Sequence, residues 1–310
     1  MNGKRFIVVL TLLIALLTAC MPGQPKGAPV VEPSPTPFQP EPTSTPLPAT
    51  STAPNTPTPP PTPRPTRTQF STHTAVPPTE VMATKVVKAG DKLVPILLYH
   101  HVSSEISNSQ YSIDPASFKE QMKWLKKHGY ATITVSELAR LIRNGGAMPK
   151  RPVIITFDDG YVDVYKNAFP VLRKLGFVAT FYIIANTVDT PGNLSSEELK
   201  RLADAGWEIG SHSMTHSDLN QSYNLEYEIV ESKQLLEFSL GFPITSFCYP
   251  YGLAAPSVIN YTINAGYQAA VGLGSNFEHS LDTLYYLNRY EIQNWFGLDE
   301  FIKYLPWDDQ

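Results

Sequence analysis

From about residue 92 to the C-terminus, short apolar runs alternate with amphipathic stretches. The runs at 93–99, 131–134, 153–157, 178–184, 207–210, 244–249, 269–271 and 287–292 predict strands. Between them, apolar residues recur at helical spacing. Asp114-Pro115 starts one helix, with Asp as N-cap and Pro at the first helical position. Phe118, Met122 and Leu125 share its buried face, and Gly129 stops it. Thr134 and Glu137 form a capping box ahead of Leu138, Leu141 and Ile142, and Gly145-Gly146 ends that helix. Further helices are predicted at 164–174 before Gly176, from Ser195 and Glu198 to Gly206, and at 298–304. Leu225, Ile229, Leu236 and Leu240 mark the longest one.

Strand–helix alternation over about 210 residues implies a parallel α/β sheet with crossover helices, open or closed into a barrel. Such folds carry their chemistry at the C-terminal ends of the strands. Residues 1–20 follow a different pattern. Lys4 and Arg5 precede the apolar run from Phe6 to Leu17, broken only by Thr11, which reads as an export signal. About a dozen apolar residues are too few for a spanning helix, which needs roughly 20. The run ends in Leu17-Thr18-Ala19-Cys20, which resembles the bacterial lipobox, with Cys20 as the lipidated residue. An ordinary cleavable signal with an incidental Cys20 is the plainer alternative. If Cys20 carries lipid, Cys248 has no disulfide partner in the chain.

Composition sharpens the division. Of the 29 prolines, 19 fall between Pro22 and Pro78, in repeated Thr-Pro and Ser-Pro units. That tract cannot bury enough apolar surface to offset its conformational entropy. Its proline density favours extended polyproline II at about 3.1 Å per residue, a stalk reaching on the order of 100 Å. The expected organisation is therefore a signal at 1–20, a disordered linker at 21–90 and a folded domain at 91–310. With 24 Lys and Arg against 28 Asp and Glu, the net charge of -4 gives no basis for nucleic-acid binding. Nothing in the pattern implies a protein partner.

Four strand ends carry unusual residues: Tyr99-His100-His101, Thr156-Phe-Asp-Asp-Gly160, Ser211-His212-Ser-Met-Thr-His216 and Phe247-Cys-Tyr-Pro-Tyr-Gly252. They hold four of the chain's seven histidines, and all should meet on one rim. His212 and His216, at i and i+4, would face the same way on a helical turn and can share a metal. A strand-end carboxylate would complete a two-histidine, one-carboxylate set with open positions. Adjacent aspartates in an extended segment point to opposite sides, so one of Asp158 and Asp159 ligates while the other faces the substrate. The plainer alternative for Asp158-Asp159-Gly160 is a turn whose side chains cap the next helix.

Thr156–Gly160 and His212–His216 resemble the first two motifs of the polysaccharide deacetylases, the NodB-homology or carbohydrate esterase family 4 domain. The resemblance implies a distorted (β/α) barrel. It also implies a divalent metal, zinc first, with cobalt, nickel or manganese as alternatives. The implied reaction is hydrolysis of N-acetyl groups on N-acetylglucosamine polymers. By the same resemblance Asp158 is the catalytic base, Asp159, His212 and His216 are the metal ligands, and the Tyr251 N–H is the oxyanion donor. Two departures stand out. Cys248 occupies the place of the family arginine that orients the base, and the late Leu-His motif has no clear match. Leu98-Tyr-His-His-Val102 resembles the branch that deacetylates exopolysaccharide poly-N-acetylglucosamine, which makes His100 the general acid. His101 would then pack or cap, and Arg289, after a late strand, would approach Asp158 in place of the lost arginine. An envelope-anchored polysaccharide N-deacetylase, exported and held at the membrane by lipid, is the expected function. The rivals are an O-acetyl esterase and a non-catalytic glycan-binding domain on a stalk.

Overall fold

The computed structural model describes residues 84–106 and 108–307. The export-type segment, Cys20 and the proline-rich tract lie outside the described residues. Among those described, no helix is long and apolar enough to cross a membrane.

Eight strands form one sheet. Its order is Ala269–Val271, Ser246–Cys248, Glu208–Ser211, Thr180–Ile183, Pro152–Phe157, Ile96–Tyr99 and Tyr290–Glu291, with Ala131–Thr132 also beside Pro152–Phe157. Every pairing in it is parallel. Leu287 bridges to Val271 at one edge, while Tyr290 and Glu291 pair with Leu97 and Leu98 at the other. One late segment thus touches both edges of the curled sheet, the distorted barrel that the family resemblance implies and that the alternation alone left open or closed.

Strand Pro152–Phe157 is buried along its whole length, as a parallel strand covered on both faces must be. Its period of two divides the core. Val153, Ile155 and Phe157 pack outward, with Phe118, Met122 and Leu125 of helix Pro115–Lys127 in the same cluster. Ile154 packs inward with Ile96, Tyr182, Cys248 and Leu287. The inward face continues as 154, 156 and 158, which brings Asp158 to the mouth of the barrel.

Local signals placed the helix starts. Asp114 accepts from the Ala116 N–H at 2.8 Å, and Ser195 and Glu198 close both halves of a capping box on helix Ser196–Asp204. Thr134 accepts from the Glu137 N–H, but the Glu137 carboxylate is taken by Arg140 at 2.7 Å instead of closing the box.

Four elements depart from the pattern. Thr84–Val87, assigned by pattern to the linker, is a strand paired antiparallel with Gly146–Pro149, so the ordered fold begins before residue 91. The stretch 164–174 divides into a π turn, Val164–Ala168, and helix Phe169–Leu175, where Pro170 removes an amide donor. The long helix divides likewise into a π turn, Glu226–Glu231, and helix Ser232–Leu240. Helix Pro256–Asn264 was not foreseen, because it buries only Val258 and Thr262 and shows little apolar periodicity.

Candidate active site

The four strand-end groups converge on one cleft of about 450 Å³, lined by His100, His101, Asp158, Asp159, His212, His216 and Tyr251, with Arg289 at its floor. Asp159 Oδ1 lies 3.5 Å from His212 Nε2 and 3.6 Å from His216 Nε2. These three donor atoms fall within 4.8 Å of one another. His212 Nδ1 is 2.9 Å from the Cys248 carbonyl, and donation there leaves the Nε2 lone pair facing the cleft. Burial pulls His212 down to about 4, and His216 is lowered by burial as well, so both rings are neutral at pH 7. Two neutral imidazoles and one carboxylate, open on one side, fit a divalent metal of the zinc type.

Asp158, His212 and Cys248 converge equally closely. That set is the poorer one. Burial pushes the Cys248 thiol up, and both oxygens of Asp158 are already taken by an arginine.

That arginine is Arg289. Its Nη1 and Nη2 each donate to Asp158 at 2.8 Å, and Nη2 also reaches the Cys248 sulfur at 3.0 Å. Nε and Nη1 are anchored on the Gly272 carbonyl and the Thr156 hydroxyl. Burial would raise the Asp158 carboxyl, but the guanidinium beside it holds it well below the usual carboxylate range. The small Cys248 side chain leaves space that the guanidinium fills from the segment just before strand Tyr290–Glu291.

The histidine pair and the aspartate pair reach their geometry differently from expectation. His212–His216 is a loop, not a helical turn, with Ser213 and His216 both at φ 64°. Asp159 has φ 74°, so the aspartates sit on a turn that aims both carboxyls at the cleft. Five described non-glycine residues have such left-handed backbones, and four of them, Asp159, Ser213, His216 and Tyr251, belong to this site. The Tyr251 ring stands edge-on to His216 at 4.6 Å.

His100 and His101 both line the cleft, rather than one facing it and one packing away. His101 is clamped: Nδ1 lies 2.7 Å from Asp163 Oδ2, and the ring stacks on Tyr161 at 3.7 Å. His100 is tilted against Tyr111 and mostly buried; burial lowers its pKa, opposed by the charges of Asp158 and Glu291. Pattern reasoning missed Tyr161, Asp163 and Glu291. Tyr161 follows Gly160 directly and Asp163 comes two residues later, and that nearness to the motif was the available signal.

A model described as polysaccharide deacetylase matches residues 145–270. A solved polysaccharide deacetylase structure from Bacillus anthracis is 32% identical, covers 69% of this chain and 69% of its own, and superposes with a TM-score of 0.63. The chain belongs to the polysaccharide deacetylase family. The Bacillus subtilis protein YxkH, named for the same family, is 33% identical over 180 residues, which are 57% of this chain and 63% of that one. The chain therefore spans less than two thirds of that relative. The poly-beta-1,6-N-acetyl-D-glucosamine N-deacetylase of Staphylococcus aureus is 28% identical over 226 residues, 67% of this chain and 76% of that one. The matched family segment contains Asp158, Asp159, His212, His216 and Tyr251, and ends before Arg289.

Proposed function

We propose that this chain is an exported, metal-dependent N-deacetylase of an N-acetylglucosamine-containing polysaccharide. One observation carries the reading: an Asp-His-His donor set opens onto the same cleft as a second carboxylate held by a buried arginine. Asp159, His212 and His216 hold the metal, zinc or else cobalt, nickel or manganese, which supplies Lewis acidity toward water and the acetyl carbonyl. Asp158, ionised beside Arg289, receives the proton of the attacking water on a carboxylate oxygen. The Tyr251 N–H donates to the developing oxyanion. His100 passes a proton to the departing nitrogen, since an amine does not leave as an anion. The Asp163 clamp fixes His101 as a wall of the cleft. Upstream, residues 1–20 direct export, lipid on Cys20 holds the protein at the membrane, and the proline-rich tract spaces the domain from it.

The Staphylococcus relative makes poly-β-1,6-N-acetylglucosamine the first polymer to offer, beside peptidoglycan glycan and acetylated xylan. Equal release of acetate and new primary amines is expected, abolished by a chelator and restored by zinc. Acetate without amines would identify an O-acetyl esterase. A folded, metal-loaded protein that releases no acetate from any of them would leave only glycan binding.

A further inference from the structure

Glu228 is a buried carboxylate, 4% exposed, that neither the donor set nor the proton path uses. Its Oε2 accepts from the backbone N–H groups of Met214 at 3.1 Å and Thr215 at 2.9 Å. Its Oε1 accepts from the Thr215 hydroxyl at 2.5 Å. Met214 and Thr215 lie in the loop between His212 and His216. Glu228 itself sits in the π turn Glu226–Glu231, a wide turn that changes where the side chains of a helix point. The Ile229 carbonyl of that turn is satisfied by the hydroxyls of Tyr267 and Ser232, at 3.0 and 3.1 Å. One turn further on, Ser232 Oγ meets Ser211 Oγ at 3.0 Å, and Ser211 directly precedes His212. A single helical segment therefore grips the chain on both sides of His212. The loop needs a grip, because Ser213 and His216 hold left-handed backbones that L residues adopt only when their surroundings impose them.

We infer that Glu228 is a positioning residue of the metal centre, holding the 213–216 loop in the shape that aims His212 and His216 at Asp159. The inference rests on the metal reading above. Groups that orient metal ligands from behind change affinity about 10- to 100-fold when replaced. Calorimetric titration of zinc into the metal-free full-length protein and its Glu228→Gln variant tests it. The amide keeps the size of the side chain but removes the charge that strengthens the bonds from the loop N–H groups, and its NH2 replaces the oxygen that accepts from the Thr215 hydroxyl. The zinc dissociation constant is expected to weaken about 10-fold or more, with an unchanged far-ultraviolet spectrum. Affinity within about twofold of wild type in a folded variant would overturn the inference, since the outer-partner effect would be missing. If Glu228→Gln does not fold, Thr215→Val and Thr215→Ser carry the test. The valine variant loses one hydroxyl contact and should weaken zinc about 3-fold, while the serine variant keeps the contact and matches wild type. Equal affinities in those two would also overturn it. A wild-type protein that binds no divalent ion would remove the metal reading itself, a different result from an unchanged Glu228→Gln affinity.

Discussion

Asp158 and Asp159 are adjacent, yet their carboxyls are pushed to opposite sides of the usual range. Both are penalised by burial; the Arg289 guanidinium reverses that for Asp158, while the Asp158 charge adds to it and Asp159 is pushed up to about 7. Asp159→Asn should therefore lose metal and activity together, and Asp158→Asn should keep its metal and lose at least about 100-fold in turnover. Metal analysis beside rate measurement separates them, and equal metal loss would reverse the roles. The raised Asp159 value also sets a pH dependence. An unfolded aspartate titrates near 3.9, so the metal-free fold holds this proton more tightly than the unfolded chain does. That stabilisation is complete below about 3.9 and is lost as pH rises through about 7. Relative to metal-free Asp159→Asn, which lacks this carboxyl, metal-free wild type should lose Tm on going from pH 6 to pH 8, and zinc should raise the wild-type Tm more at pH 8. At the opposite wall, His100→Ala should cut turnover with metal content intact. His101→Ala loses the Asp163 bond and the Tyr161 stack, and should act mainly on Tm. Near-normal turnover in folded, metal-loaded His100→Ala would remove the acid assignment.

Elements deliver these residues through close packing and local irregularity. Each π turn is followed by a regular helix, and each turns a polar side chain toward a strand-end loop. Asn167 of the first donates to the Val102 carbonyl at 2.7 Å, and Glu228 of the second accepts from the histidine loop. The strand Glu208–Ser211 depends on a different device. A Cβ on Gly210 would lie 2.5 Å from Tyr182 Cδ1 and 2.9 Å from Ser246 Oγ. Tyr182 is fully buried inside the barrel, with its ring 5.6 Å from the Arg289 guanidinium. Gly210→Ala should thus destabilise by about 1–3 kcal/mol through overpacking, seen as a lower denaturation midpoint at unchanged slope. A midpoint equal to wild type would mean that the Tyr182 ring yields at little cost.

For the whole molecule, the ordered domain is preceded by a segment whose composition reads as signal and stalk. Cys20→Ser should move the protein from the membrane fraction to the soluble one; an unchanged partition would remove the lipid anchor and leave export alone. The alternation of strands and helices, the caps at Asp114 and Ser195, and the paired Asp-Asp and His-x-x-x-His motifs were legible without coordinates. Each is a short-range pattern, decided by side-chain periodicity or by a residue bonding its own backbone. Family resemblance supplied the fold and the roles, but not the way the site is held. The His212–His216 loop, expected as helix, is bent by left-handed residues and held by contacts with Glu228, the Ser213 hydroxyl and the Ala185 and Asn186 N–H groups. Thr84–Val87 looked like linker because its pairing partner lies some sixty residues away, at Gly146–Pro149. The approach of Arg289 to Asp158, 131 residues away, was expected from the vacated arginine place, and it is realised because the last strand segment returns to both edges of the sheet. Local pattern carries the elements and the reactive side chains. Barrel closure decides which of those side chains share a charge, because Coulomb coupling depends on distance in space and not along the chain.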